Sequence, residues 1–265
     1  MAYNKSAIDL SGRVVHRSRI KLVGVELEGA WRKCPSDCVV VDTIHPEPGQ
    51  LGRDGSLKKL KAKLHAEQLA AASAGQPLPY VQTNGELPSP PLSEDAISDW
   101  LRTHWPDVID DECGMHIHIS VTSPMVYMWL MDDEAFPATI VEYIKQWAVK
   151  ENIPKTDPIW DRLADKNEYC QHRHWPREQV NSDKDHDRVR YGNRYTAVVF
   201  RYKLGTIECR LLSMPKDVEQ GIRAVKEFCS IVNRYLVATA KRERKVVADV
   251  IVRQPVYEMN IDLHV

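Results

Sequence analysis

The amino-acid sequence predicts an α+β fold with a mainly antiparallel sheet, on three observations. Strand-like and helix-like segments are mixed without the regular βαβ alternation of a parallel sheet. Several short runs alternate apolar and polar residues with period two, as half-buried strands do. Longer runs repeat apolar residues at helical spacing. A chain of 265 residues can bury a sizeable core, and it reads as a single domain over 1–265. There is no internal repeat and no long low-complexity segment.

The elements follow in order. Val14 to Glu28 alternates and is rich in β-branched residues, which predicts a strand. Residues 56 to 74 predict a helix with Leu57, Leu60, Leu64 and Ala71 on one stripe, interrupted by Gln68, and a Lys-rich solvated face. PYVQTNGELPSPPL predicts a strand stopped by prolines. Ser93 caps a short helix through His104, with Glu94 and Asp95 in its first turn. CGMHIHIS, residues 113 to 120, predicts a strand. Residues 124 to 136 predict a connection or short helix, and 138 to 152 a full helix. The stretch 154 to 194 is polar and dense in His, Arg, Asp and Lys, which predicts a long excursion. Ala197 to Tyr202 and Thr206 to Leu212 predict two strands turned by Leu204-Gly205. Pro215 opens a helix with Val218, Ile222, Val225, Cys229, Val232 and Leu236 on its core face.

Acids and bases balance at 37 against 36, a net charge of -1. That balance excludes a global pull toward nucleic acid or an anionic membrane. No apolar run reaches the about 20 residues that span a bilayer, and MAYNKSAIDLSGR lacks a hydrophobic signal segment. The expectation is a soluble, cytoplasmic protein. Six dispersed cysteines are expected to be reduced thiols. Cys34-x-x-x-Cys38 together with Cys170-x-His172-x-His174 would supply zinc ligands if the two segments met.

The chemistry concentrates on strands. In CGMHIHIS, Ile117, Ile119 and Val121 share one face while His116, His118 and Ser120 share the other. Taken alone, this strand fits a wet edge or a metal or phosphate site. The pattern recurs, however. Glu26 and Glu28 share a face in VGVELEG, Glu208 and Arg210 share one in TIECRLL, and Glu86 lies in a strand closed by prolines. Converging carboxylates repel one another unless cations or protons intervene. Mg²⁺ or Mn²⁺ suits such oxygen-rich donors, Mn²⁺ tolerating an imidazole as well. Arg210 would offer a fixed positive fork to a transferring phosphoryl group. No phosphate-binding glycine loop, nucleophile elbow or HExxH helix is present in usable form, so any chemistry is built on the sheet.

In this order the strands resemble the glutamine synthetase and γ-glutamylcysteine synthetase superfamily, most closely its compact amidoligase branch. GVELEG resembles the first metal-binding strand and GELPSPPL the Gly-Glu-(apolar)-x-Ser-Pro-Pro-Leu element. CGMHIHIS is similar to the His-x-His strand, and GTIECRLL, preceded by RYGNRY, to the closing Glu-x-Arg strand. The resemblance spans residues 24 to 212. It implies a glutamine synthetase-like catalytic fold, a curved sheet with helices on its outer face. The implied activity is an ATP-dependent carboxylate-amine ligase acting through an acyl phosphate on small-molecule substrates.

Carried over, Glu26, Glu28, Glu86, His116 and Glu208 would hold two or more Mg²⁺ or Mn²⁺ ions. Arg210, Arg194 and Arg190 would stabilise the transferring phosphoryl, with Ser89, Arg194 and Arg210 contacting ATP. His118 would be a supporting contact. Two departures stand out. Asp54-Gly55-Ser56, close before the Glu-Ser-Pro-Pro strand in the family, is separated from it here by the Lys-rich helix, which leaves Asp54 outside the expected site. Cys209 replaces an aromatic on the buried face. The excursion would choose the substrate. Its basic cluster, His172, Arg173, His174, Arg177, Arg188, Arg190 and Arg194, is interleaved with Asp183, Asp185 and Asp187 and gives only weak support for nucleic acid. The terminal helix and VYEMNIDLHV could pack against a second copy. Two other functions fit the same residues: a non-catalytic nucleotide- or partner-binding descendant, and an iron oxygenase using His116, His118 and one carboxylate.

Overall fold

Seven strands pair into one open, mostly antiparallel sheet in the order β2-β3-β4-β1-β5-β7-β6. They are β1 (Ile20–Trp31), β2 (Val39–Val40), β3 (Gln50–Arg53), β4 (Gln82–Pro88), β5 (Gly114–Val121), β6 (Val198–Arg201) and β7 (Thr206–Ser213). The helices are α1 (Lys58–Ser73), α2 (Ala96–His104), α3 (Pro124–Asp132), α4 (Ala135–Lys150), α5 (Ile159–Leu163) and α6 (Val218–Arg253). These elements come from a computed structural model that describes residues 19–173, 195–201 and 204–253. Only β2 and β3 pair in parallel. The α+β class and the mainly antiparallel sheet are thus as the sequence predicts. Among the described residues no helix is long and apolar enough to cross a membrane.

β1 and β5 occupy the middle of the sheet, which disposes of the wet-edge reading of the His-x-His strand. Every residue of β5 except Ser120 is buried. Val25, Leu27, Met115, Ile117, Ile119, Ile207, Cys209 and Leu212 form the apolar face. Met115 on that face reaches Gly221 of α6. α6 packs on β5 and against α2 and α4, burying Ile222, Val225, Phe228, Cys229 and Val232. A layer of helix on sheet with two dozen or more fully buried apolar side chains is the main source of stability, since burial of each contributes about 1.5–3 kcal/mol.

Several elements differ from expectation. The first strand runs on to Trp31, where Ala30 exchanges backbone hydrogen bonds with Val108 and Trp31 is fully buried; residues 14–18 lie outside the described residues. β2 and β3 went unpredicted because they are four residues or fewer and largely held by backbone bonds, such as Arg53 N–H to Thr43 O at 2.7 Å. Of the two readings of residues 124 to 136 the short helix holds, as α3, opened by Pro124. In α1, Gln68 continues the stripe by donating to Tyr80 O at 3.1 Å. Ser93 Oγ accepts from Ala96 N at 3.2 Å, as a capping hydroxyl should.

One close approach ties the sheet to the segment before β5. At Gly29 a Cβ would meet Pro106 Cβ at 2.6 Å and the Val108 carbonyl oxygen at 2.9 Å, and neither is the free end of a flexible chain. Gly29→Ala should therefore lower stability by about 1–3 kcal/mol, seen as a drop of several degrees in Tm. An unchanged Tm would show that this approach does not constrain the fold.

Candidate metal and anion site

Antiparallel register brings the charged residues face to face. Opposed residues in an antiparallel pair project to the same side, with Cβ atoms about 5 Å apart. Glu28 stands opposite Glu86, Glu26 opposite His116, and His118 opposite Glu208. Four strands thus deliver Glu26, Glu28, Glu86, His116, His118 and Glu208 to one face. The register between β5 and β7 shifts beside the site, so that His116 alone faces both Arg210 and Leu211. Such an irregularity re-aims side chains. Here Arg210 turns back toward Glu208 and His116.

The distances define one connected cluster. His116 Nδ1 lies 3.0 Å from Glu26 Oε2 and 3.7 Å from Glu208 Oε1, and its Nε2 lies 3.6 Å from Glu28 Oε1. His118 Nε2 lies 3.0 Å from Glu26 Oε1, out of line for a hydrogen bond. Glu208, fully buried, accepts from Arg210 Nη1 at 2.6 Å and from Arg201 Nε. Arg210 Nη1 also sits 3.5 Å from His116 Nδ1. Glu28 accepts the backbone N–H of Gly114 at 2.6 Å.

Environment divides the carboxylates into two kinds. Burial pushes Glu28 up to about 8, with Asp54 adding like charge and Arg162, Arg210 and the Gly114 N–H only partly offsetting it. Burial, then Glu26, Asp54 and Glu28, hold Glu86 well above the ordinary range. Burial acts on Glu26 as well, but His118 and His116 outweigh it and hold this carboxylate well below the ordinary range. Glu208 is pulled down to about 2 because Arg201 and Arg210 overcome its burial. Burial and Arg210 push His116 down to about 4, against the pull of Glu26. His118 moves the other way: Glu26 and Glu208 outweigh its burial and raise it. A neutral His116 with Nδ1–H donating to Glu26 leaves the Nε2 lone pair facing Glu28.

These donors fit a hard divalent cation. Glu26, His118 and Glu208 each offer a ligand atom, all within 4.8 Å of one another. His118 Nε2, 3.0 Å from Glu26 Oε1, stands where a bound cation would replace the proton that Glu26 and Glu208 favour on the ring. Sequence resemblance gives the ligand role to His116 and the supporting role to His118. In the structure both imidazoles stand among the carboxylates, and it is His118 that joins Glu26 and Glu208 in a set of donor atoms all within 4.8 Å of one another.

The sequence-predicted residues meet unequally. Glu26, Glu28, Glu86, His116, His118, Glu208 and Arg210 converge. Ser89 directly follows β4, where its hydroxyl accepts from Val25 N at 2.9 Å and donates to Pro90 O at 2.9 Å. That hydroxyl proton is committed to backbone. Arg190 and Arg194, most of the basic cluster and His174 lie outside the described residues. The proposed cysteine–histidine zinc set does not form: Cys34 and Cys38 precede β2 at one edge of the sheet, whereas Cys170 and His172 lie beside Thr196 near β6 at the other. All six cysteines are free thiols.

Three site residues were missed. Arg201 on β6 shares the face of Glu208, and carrying the hairpin register through the Leu204-Gly205 turn would have found it. Asp54 lies far from the other site residues along the chain, yet pairing of β3 with β4 returns it to the cluster. Its backbone N–H donates to Asn84 O at 2.7 Å, and Asn84 Nδ2 donates to its carbonyl at 2.7 Å. Arg162, on α5, is buried and donates through Nη1 to the Arg210 and Leu212 carbonyls at 3.0 Å each. Part of the predicted excursion is therefore packed structure. Gly114 leaves room for that guanidinium: a Cβ there would come within 3.1 Å of Arg162 Nη1 and 3.2 Å of Glu28 Oε2. No sequence signal marked Arg162.

None of the family models, curated proteins or solved structures compared with this chain matches it.

The raised carboxyls give the metal-free protein a pH signature. A group held above its unfolded value of 4.5 contributes its stability fully below that pH and loses it as pH rises toward about 8, the value for Glu28. Glu208 has the opposite sign, losing its contribution as pH falls from 4.5 toward about 2. Glu28→Gln should therefore unfold with the wild type near pH 4.5 and gain over it steadily up to about pH 8, by several degrees of Tm in the presence of chelator. A difference constant across that window would contradict the assignment.

Proposed function

We propose that the protein is an ATP-dependent carboxylate-amine ligase that forms an amide through an acyl phosphate, with Mg²⁺ or Mn²⁺ as its metal. The observation that carries this reading is the meeting, on one sheet face, of a carboxylate–imidazole cluster with two arginines that both grip Glu208. Phosphoryl transfer needs this combination of positioning and neutralised charge more than it needs a protein nucleophile. The motif order described above supplies the family context. An iron centre of two histidines and one carboxylate would leave both arginines without a role.

In this reading Glu26, Glu208 and His118, with Glu28, Glu86 and His116, would hold the ions. Bound there, the ions would supply positive charge that neutralises the phosphates of ATP. Arg210 and Arg201 direct guanidinium donors at the transferring phosphoryl, and Glu208 fixes their orientation. Arg162 holds the strand carrying Arg210 through its two carbonyl contacts. A substrate carboxylate oxygen attacks the γ-phosphorus as the bond to ADP breaks; the amine then attacks the acyl carbon, phosphate departs and the amine proton is lost. Burial of Glu208 and both histidines keeps bulk water from the acyl phosphate. Six free thiols suit a reducing compartment, so the enzyme would act in the cytoplasm.

Hydroxylamine traps acyl phosphates whatever the natural amine. With ATP, Mg²⁺ or Mn²⁺, hydroxylamine and a panel of amino-acid and peptide carboxylates, the wild type should form hydroxamate and release phosphate. Glu26→Gln and Glu208→Gln should each lose about a hundredfold or more in rate while remaining folded. Nucleotide binding without phosphate release across the panel would instead mark a non-catalytic binding protein.

A further inference from the structure

A second group of metal-binding side chains stands at the opposite edge of the sheet from Glu208, independent of the ligase reading. Asp37, Cys38 and His104 each place a donor atom within 4.8 Å of the other two. His104 ends α2, while Asp37 and Cys38 lie in the loop between β1 and β2.

The histidine is built in rigidly. Its side chain is 3 % exposed and stacks on Trp100, with ring centroids 4.2 Å apart and planes 8° from parallel. Trp31 Nε1 donates to its backbone carbonyl at 3.0 Å. Its Nδ1 lies 2.7 Å from the Trp100 carbonyl oxygen, which can only accept, so Nδ1 carries the hydrogen. In the neutral ring Nε2 is then a bare lone pair, and it points at Asp37 Oδ1 2.7 Å away. Two acceptors at that distance require a cation. Cys38 Sγ, 4.0 Å from the same oxygen, adds a soft donor that selects zinc over magnesium or calcium. A carbonyl partner on the far nitrogen is also how metal-binding histidines are oriented.

We propose that Asp37, Cys38 and His104 form a zinc site that clasps the loop after β1 to the end of α2. Tetrahedral zinc, with bonds of about 2.0 to 2.3 Å, spaces its ligand atoms about 3.3 to 3.8 Å apart. A small rotation of the Asp37 side chain, 62 % exposed, opens the present contact to that spacing and gives the ion its entry path. Cys34, whose Sγ donates to the Cys38 carbonyl at 3.1 Å, stands in the same loop but outside that three-residue set, which leaves the fourth position to solvent. The clasp would fix the edge formed by β2 and β3.

Cobalt reports thiolate ligation by its charge-transfer absorption, which an oxygen-and-imidazole site does not give. The full chain, stripped with chelator, should show this band with Co²⁺ and lose it on adding Zn²⁺. Cys38→Ser should abolish the band, whereas Glu208→Gln should keep it, which separates this site from the one on the sheet face. Asp37→Asn, at an exposed position, should weaken zinc binding by about tenfold or more with unchanged circular dichroism. No band in the wild type, or a band retained in folded Cys38→Ser, would overturn the proposal. So would a His104 ring signal in NMR that follows pH and ignores zinc, because a proton alone would then be the cation.

Discussion

Crowding of like charge on one face of the sheet is the constraint that the rest of the site answers. Glu26, Glu28, Glu86, Glu208 and Asp54 gather where, among the described residues, the guanidiniums of Arg162, Arg201 and Arg210 and the raised imidazole of His118 are at hand. Negative charge therefore exceeds positive. In the metal-free protein the excess is met by protons on the two carboxyls that are held high, Glu28 and Glu86. One divalent cation would meet the same excess, and Glu26 and Glu208 are already ionised to receive it. Desolvation makes the arrangement costly, and it persists because the opposite face of the same strands is packed against helices.

The two faces divide the work. Residues of one parity on β1 and β5, with their partners Ile207, Cys209 and Leu212 on β7, supply the core under α6, and those of the other parity on β1 and β5, with Glu208 and Arg210, supply the charged cluster. Central placement matters, since β1 and β5 have neighbours on both sides and their side chains are fixed by two ladders each. Gly114 and Arg162 extend the same logic. The missing Cβ admits a guanidinium that binds the backbone of β7 on both sides of Leu211, next to Arg210. Stability and site geometry are therefore coupled through single residues.

Much of this was legible in the sequence, for a local reason. Residues two apart share a face, so VELE, HIH and ECR announced their polarity without knowledge of any partner strand. What joins those faces is register, which is non-local and rests on pairings such as Glu28 with Glu86 across some 58 residues of intervening chain. Asp54 shows the difference plainly: α1 carries the chain away and β4 brings it back, so separation along the sequence said nothing about separation in space. Arg162 was hidden because a five-residue helix has too little periodicity to read, and β2 and β3 were hidden because they bury little. The zinc set imagined from cysteine and histidine spacing failed for the same reason, while Cys38 found a histidine on α2 instead.

Anomalous diffraction at the manganese edge, from crystals grown with Mn²⁺ and a non-hydrolysable ATP analogue, tests the central claim most directly. The account predicts manganese among Glu26, His118 and Glu208, with phosphate oxygens on the ion and beside Arg210 and Arg201. An analogue bound elsewhere, or a manganese-free cluster in which Arg210 and Arg201 hold only Glu208, would contradict it.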